Sequence, residues 1–156
     1  MDVMLVQHAQ ALTEEQDSDR PLSAQGKEQL RKVAAVVATD GDLDLARIWH
    51  SGKTRAAQTA EILAEYFKPR LGVRSAEGLS PLDEPRIWAD RLVEMEQQVM
   101  LVGHLPHLEK LTALLLGGQG SPRIVAFQNA GIVCLRYHDG AWRLRWAVTP
   151  ASVGAA

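Results

Sequence analysis

The chain has 156 residues, with 17 basic against 19 acidic side chains, a net charge of −2 with histidines neutral, and 46% hydrophobic residues. That length suits one domain, 1–156, with a substantial buried core. The balanced charge lacks the basic excess of a nucleic-acid binder, so any anion site must be local. The single cysteine, Cys134, sits in an apolar run and reads as a small buried hydrophobe in a reducing setting. No apolar stretch approaches membrane-spanning length, and the N-terminus lacks the pattern of a signal peptide. The expected location is therefore cytoplasmic.

Val3-Met4-Leu5-Val6 is a short apolar run that ends in Gln7-His8, the pattern of an interior strand delivering a histidine at its C-terminal end. Leu12 to Asp19 is polar and reads as a solvated loop. Pro21 is expected to hold Arg20 extended. Ser23 is a good N-cap for a helix over Ala24 to Thr39, whose Leu30, Val33, Ala34 and Val37 make one apolar stripe. A second strand is expected within Leu43 to Trp49, ending in His50-Ser51, and a second helix over Thr54 to Phe67.

Gly72 to Ala76 suggests an edge strand, and Pro85 to Met95 a short helix. Val99 to Gly103 is the clearest buried strand, and it too runs into a histidine, His104. A helix over Pro106 to Leu116 follows, with Pro106 in its first turn. Gly131 to Tyr137 and Trp142 to Val148 flank His138-Asp139-Gly140-Ala141, a hairpin pattern. Strands alternating with helices, then a hairpin, predict an α/β fold. It is a three-layer α/β/α sandwich with a mostly parallel sheet and an antiparallel edge hairpin.

Three strands thus end in polar residues: Gln7-His8, His50-Ser51 and Gly103-His104. If they are parallel neighbours, these residues share the rim where open α/β sheets bind ligands. The helix after the second strand begins near Ser51-Gly52-Lys53-Thr54-Arg55, where free backbone N–H groups and Arg55 favour an anion. Gly52-Lys53-Thr54 matches only the ending of a P-loop, and the upstream glycine is missing. His104 and His107 have a spacing that suits a metal, but no carboxylate or cysteine completes a set, so no metal and no cofactor is expected. His50 and His107 read as structural.

Four segments in order resemble the histidine phosphatase (phosphoglycerate-mutase-like) superfamily. Gln7-His8-Ala9-Gln10-Ala11 is similar to its R-H-A-x-A signature, and Arg20-Pro21-Leu22-Ser23-x-x-Gly26 to its R-P-L-[ST]-x-x-G segment. Ser51 to Ala60 is similar to S-x-x-x-R-A-x-Q-T-A, and Val102-Gly103-His104-Leu105-Pro106 to V-G-H-x-P. The compact length and the Trp142-x-Leu144-x-Trp146 tail resemble the small protein phosphohistidine phosphatase branch.

The resemblance implies a phosphatase that forms a phosphohistidine on His8, with Arg55 and His104 as further catalytic residues. Gln7, Arg20 and Arg55 would bind the phosphoryl group, although Arg20 reads equally well as a surface ion pair with Asp17 or Asp19. Asp83 or Glu84 lies where larger members carry a general acid, and neither is assigned that role. The implied partner is a protein phosphorylated on histidine, of the signalling or phosphotransfer type, or a small phosphorylated substrate; the oligomeric state is left open.

The departure is Gln7, which stands where the signature has arginine. Glutamine keeps N–H donors but brings neither charge nor a bidentate fork. Exchanging charge-assisted for neutral bonds costs about 1–3 kcal/mol, which is about ten- to a hundredfold in rate if the bond tightens in the transition state. Two readings follow. One is a working, slower phosphatase in which Arg20 or Lys53 supplies the missing charge. The other is a pseudo-phosphatase that binds a phosphorylated protein or metabolite without turnover.

Overall fold

The apolar run that opens the chain lies between two other strands of a six-stranded sheet. The computed structural model describes residues 1–156. In chain order its elements are β1 (Asp2–Gln7), α1 (Ala24–Val37), β2 (Arg47–His50), α2 (Thr54–Phe67), β3 (Val73–Ser75), α3 (Pro85–Met95), β4 (Val99–Gly103), α4 (His107–Gly117), β5 (Ile132–His138) and β6 (Ala141–Val148). A short 3-10 turn follows at Ala151–Val153. The sheet order is β3-β2-β4-β1-β5-β6. The first four of these strands are parallel, and β5 and β6 continue the sheet antiparallel. This is the α/β architecture expected from the alternation of elements. No helix is long and apolar enough to cross a membrane.

Successive side chains of β1 point to opposite faces, so its continuous apolar run feeds two cores. Met4 and Val6 pack with Leu30, Val33 and Ala34 of α1 and with Ala60 and Leu63 of α2. Val3 and Leu5 pack on the other face with Trp88 and Leu92 of α3 and Leu108 and Leu111 of α4. Trp142 of β6 closes that second core, and Cys134 is fully buried in the first.

Several boundaries differ from the sequence expectation for identifiable reasons. α1 stops at Val37 because its last turn tightens: Thr39 and Asp40 donate to Val36 and Val37 instead of continuing the helix. β2 starts at Arg47, not Leu43. Leu45 and Ala46 are buried and hydrogen-bonded to Arg70, Leu71 and Gln98, but they join the sheet outside a regular ladder. α4 begins at His107, with Pro106 one step outside as its cap. The hairpin turn narrows to Asp139-Gly140, both with positive φ (50° and 76°), the geometry whose twist matches paired strands.

The segment between β1 and α1 is pinned by the start of α1. Ser23 caps the helix by accepting from Gly26 N–H at 3.0 Å, while its own N–H donates to the Gln10 carbonyl at 2.9 Å. Gly26 lies so close to that carbonyl that a β-carbon would fall on the Gln10 oxygen. Gly26→Ala is expected to destabilise the fold by about 1–3 kcal/mol through overpacking against fixed backbone. A urea midpoint unchanged from wild type would show that Gln10 is free to move.

Candidate active site

The parallel register assembles the site. Gln7 pairs with Gly103, and His50 with Val102, so β1, β4 and β2 end together. His8, His104 and Ser51 each follow one of these ends and meet on the same rim. The His8 and His104 ring centroids are 5.0 Å apart. His8 is held through its backbone: its N–H donates to Gly103 at 3.1 Å, and its carbonyl accepts from Asn129 Nδ2 at 2.9 Å.

Each ring is oriented by one bond. His8 Nδ1 lies 2.8 Å from the Ala9 carbonyl. A carbonyl can only accept, so the neutral ring carries its proton on Nδ1 and keeps its lone pair on Nε2. His104 is 2% exposed. Its Nε2 lies 2.6 Å from Ser51 Oγ, and its buried Nδ1 has no partner.

Helix α2 braces the neighbouring loops. Thr59 Oγ1 accepts from Ala9 N–H at 3.1 Å and donates to the Arg55 carbonyl at 2.7 Å. Gln58 Oε1, one residue earlier, accepts from Leu22 N–H at 2.7 Å. The Gln-Thr pair of the third sequence segment thus ties the first and second segments to one helix. Arg55 stands in the first turn of that helix with a buried, unpartnered Nε.

Arg20 corrects one expectation. It is not extended before Pro21 but has φ +49°. The loop has to turn back on itself there: Arg20 N–H donates to Asp17, and Leu12 N–H to Pro21, so that Ala11 and Leu22 can bridge. The side chain pairs with neither Asp17 nor Asp19. Its Nε donates to the Leu12 carbonyl at 3.1 Å.

The electrostatics of the rim are one-sided. Burial lowers the His8 pKa to about 4; the Ala9 bond opposes this, and the charges of Arg55 and Arg20 add to it. His104 falls to about 3, through burial first and then through His8, Arg55, Lys53 and His107. Arg55 is itself less basic than usual, from burial and from Arg20. None of Arg20, Lys53 and Arg55 takes part in an ion pair. The result is neutral imidazoles among cations without counter-charges. Gln7 adds a buried Oε1 that has no partner.

The remaining candidates fall elsewhere. His50 Nδ1 accepts from Gly52 N–H at 3.0 Å and so braces the turn into α2. His107 is fully buried with both ring nitrogens unpartnered. A groove of about 540 Å³ leads from Ser51 and Gly52 past Glu77 to Ser80 and Asp83. Asp83 accepts from Ser80 N–H at 2.9 Å within that groove. Glu84 does not line it, and instead caps α3 by accepting from Arg86 N–H. Sequence reasoning missed Asn129, which no local pattern marks. It also passed over the bond from Ser51 to His104, although Ser51 opens the third recognised segment.

Comparison with known proteins bears on the family and the fold. The family profile of the histidine phosphatase superfamily (branch 1) matches residues 3–83, just over half of the chain. No curated protein matches. Among solved structures, the protein histidine phosphatase SixA complexed with tungstate is similar at 24% identity and TM-score 0.84, covering 98% of this chain and 99% of that one. A protein of Agrobacterium tumefaciens assigned as a phosphohistidine phosphatase SixA has 23% identity and TM-score 0.75, with 96% and 97% covered. A mutant phosphoserine phosphatase from Entamoeba histolytica, complexed with phosphoserine, has 16% identity and TM-score 0.70, with 97% and 98% covered. At these identities the structural likeness is one of fold. By its family profile, this chain belongs to the histidine phosphatase superfamily.

Proposed function

We propose that the chain hydrolyses phosphohistidine on a protein, or a small phosphate ester, through a phosphohistidine formed on His8. The observation that carries this reading is the contact of His8 Nδ1 with the Ala9 carbonyl, which leaves the Nε2 lone pair free beside cations that lack counter-charges. In the first step Nε2 forms a bond to phosphorus as the bond to the leaving group breaks, and the leaving group takes the bonding pair. In the second, water attacks the phosphohistidine, releasing inorganic phosphate and returning the lone pair to Nε2.

Arg55, with its planar fork, binds phosphoryl oxygens, and His104 donates to charge spread over the equatorial oxygens. Arg20 adds charge from the loop, and its effect on the His8 pKa supports a place near the phosphoryl group. The P–N bond of a phosphohistidine substrate is labile and its imidazole departs without strong acid help, so on that substrate neither Asp83 nor Glu84 needs to act as an acid. The fold shared with proteins described as histidine phosphatases favours a phosphorylated protein as partner. A second reading rests on Gln7: a pocket without the signature arginine binds a phosphorylated protein or metabolite and does not turn it over.

The kinetic test compares wild type, His8→Ala and Gln7→Arg on a phosphohistidine-bearing protein and on an aryl phosphate. Wild type is expected to be weakly active, His8→Ala inactive, and Gln7→Arg faster by about ten- to a hundredfold. Equal activity in wild type and His8→Ala would remove the catalytic reading. Equal inactivity of wild type and His8→Ala, with phosphate still bound, would favour the binding reading.

The state of the nucleophile is open to a separate check. His8 and His104 are held below the ordinary value of 6.5, at about 4 and about 3. Between pH 6.5 and about 4 the folded protein therefore binds fewer protons than the unfolded chain. Their contribution to stability is fully present above pH 6.5 and declines as pH falls through that window. Ring NMR titration is expected to find both histidines neutral at pH 6; a His8 midpoint near 6.5 would contradict the buried, cation-flanked geometry.

A further inference from the structure

We infer that Ser51 is a positioning residue that sets the tautomer of His104, leaving the proton on Nδ1 as the donor to the phosphoryl group. The kinetic part of this inference rests on the phosphatase reading; the tautomer itself does not. His50 pairs with Val102 across β2 and β4, so Ser51 leaves the ladder beside Gly103, one residue before His104. Ser51 Oγ thereby comes within 2.6 Å of His104 Nε2.

A neutral imidazole has one donor nitrogen and one acceptor nitrogen, and a serine hydroxyl can serve either. The direction of this bond is set from the other side of the serine. Lys53 N–H, in the turn that leads into α2, donates to Ser51 Oγ at 3.3 Å. That bond takes one of the two oxygen lone pairs, and the hydroxyl has no protein acceptor other than His104 Nε2, so its proton points there. The relay then runs from Lys53 N–H through Ser51 O–H to Nε2, and the ring proton remains on Nδ1.

His104 Nδ1 is buried and unpartnered. A lone pair there would repel a phosphoryl oxygen, whereas an N–H would donate to it. Only one tautomer suits an anion, and the alternative cannot be reached by protonating both nitrogens, because burial and the neighbouring cations keep His104 neutral. Ser51 thus acts through His104 without touching the reacting atoms itself.

The test is nitrogen–proton NMR of the His104 ring at pH 7, in wild type, Ser51→Ala and Ser51→Thr, with and without inorganic phosphate. Wild type and Ser51→Thr are expected to show Nδ1–H, and phosphate to move that proton's resonance. Ser51→Ala is expected to shift the ring toward Nε2–H and to weaken phosphate binding about tenfold, the worth of one hydrogen bond. On a phosphohistidine-bearing protein, Ser51→Ala should lose about tenfold in kcat with KM little changed, and Ser51→Thr should recover it.

An Nε2–H ring in wild type overturns the inference without any variant having to fold, and so does an unchanged tautomer in a folded Ser51→Ala. An Nδ1–H ring that responds to phosphate in a protein without turnover supports the inference and removes the phosphatase reading instead.

Discussion

Everything at the rim depends on the in-register ending of three parallel strands, β1, β4 and β2. The residues concerned are far apart in sequence, and of their side chains only those of Ser51 and His104 bond to one another. Backbone ladders carry them to the same place, and a slip of one residue would turn the buried side chains of a strand toward the other face. Because both faces of β1 are packed, such a slip is resisted by two cores at once. The ladder places the strand ends, and Gln58 and Thr59 then fix the loops that leave them. The Gln-Thr pair is best understood as scaffolding for His8 and Arg20, not as chemistry.

The same burial that stabilises the fold prepares the histidines. In water an imidazole near its ordinary pKa spends part of its time protonated and useless as a nucleophile. Here desolvation and nearby guanidinium groups hold it neutral. No carboxylate pairs with Arg20, Lys53 or Arg55, and the most buried acidic side chain is held on another part of the sheet. That residue, Asp2, is buried under β5 and β6 against Arg136 and Arg145. The positive charge of the rim is thus left without a counter-charge. Gln7 adds no charge to this rim and keeps its place in the ladder opposite Gly103.

Much of this was legible in the linear sequence, because apolar runs and caps are local signals. The helices Thr54–Phe67 and Pro85–Met95 and the strand Val99–Gly103 have the bounds expected from periodicity, proline placement and continuous burial. β2 was harder to delimit: Leu45 is as buried as a strand residue, but its backbone bonds go to irregular partners. Arg20 was misjudged since the preference imposed by Pro21 is weaker than the loop's need to turn. Asn129 was invisible, as its partner His8 lies 121 residues away and the contact joins a side chain to a carbonyl. The contact of Ser51 with His104 was hidden for the same reason, since it exists only once β2 and β4 are paired.

The position of β1 between β4 and β5 has a consequence for how the chain is made. Its apolar segment is translated before either strand that will flank it, and β5 follows the whole α4 segment. Until then Val3 to Val6 are an unpaired, sticky edge with only temporary cover. Pairing so distant in sequence is slow to nucleate, because loop closure comes before the contacts that reward it. The strand that leads to His8 is therefore the part of the nascent chain that most needs shielding, and substitutions that loosen β4 or β5 will be felt first as lost yield of folded protein.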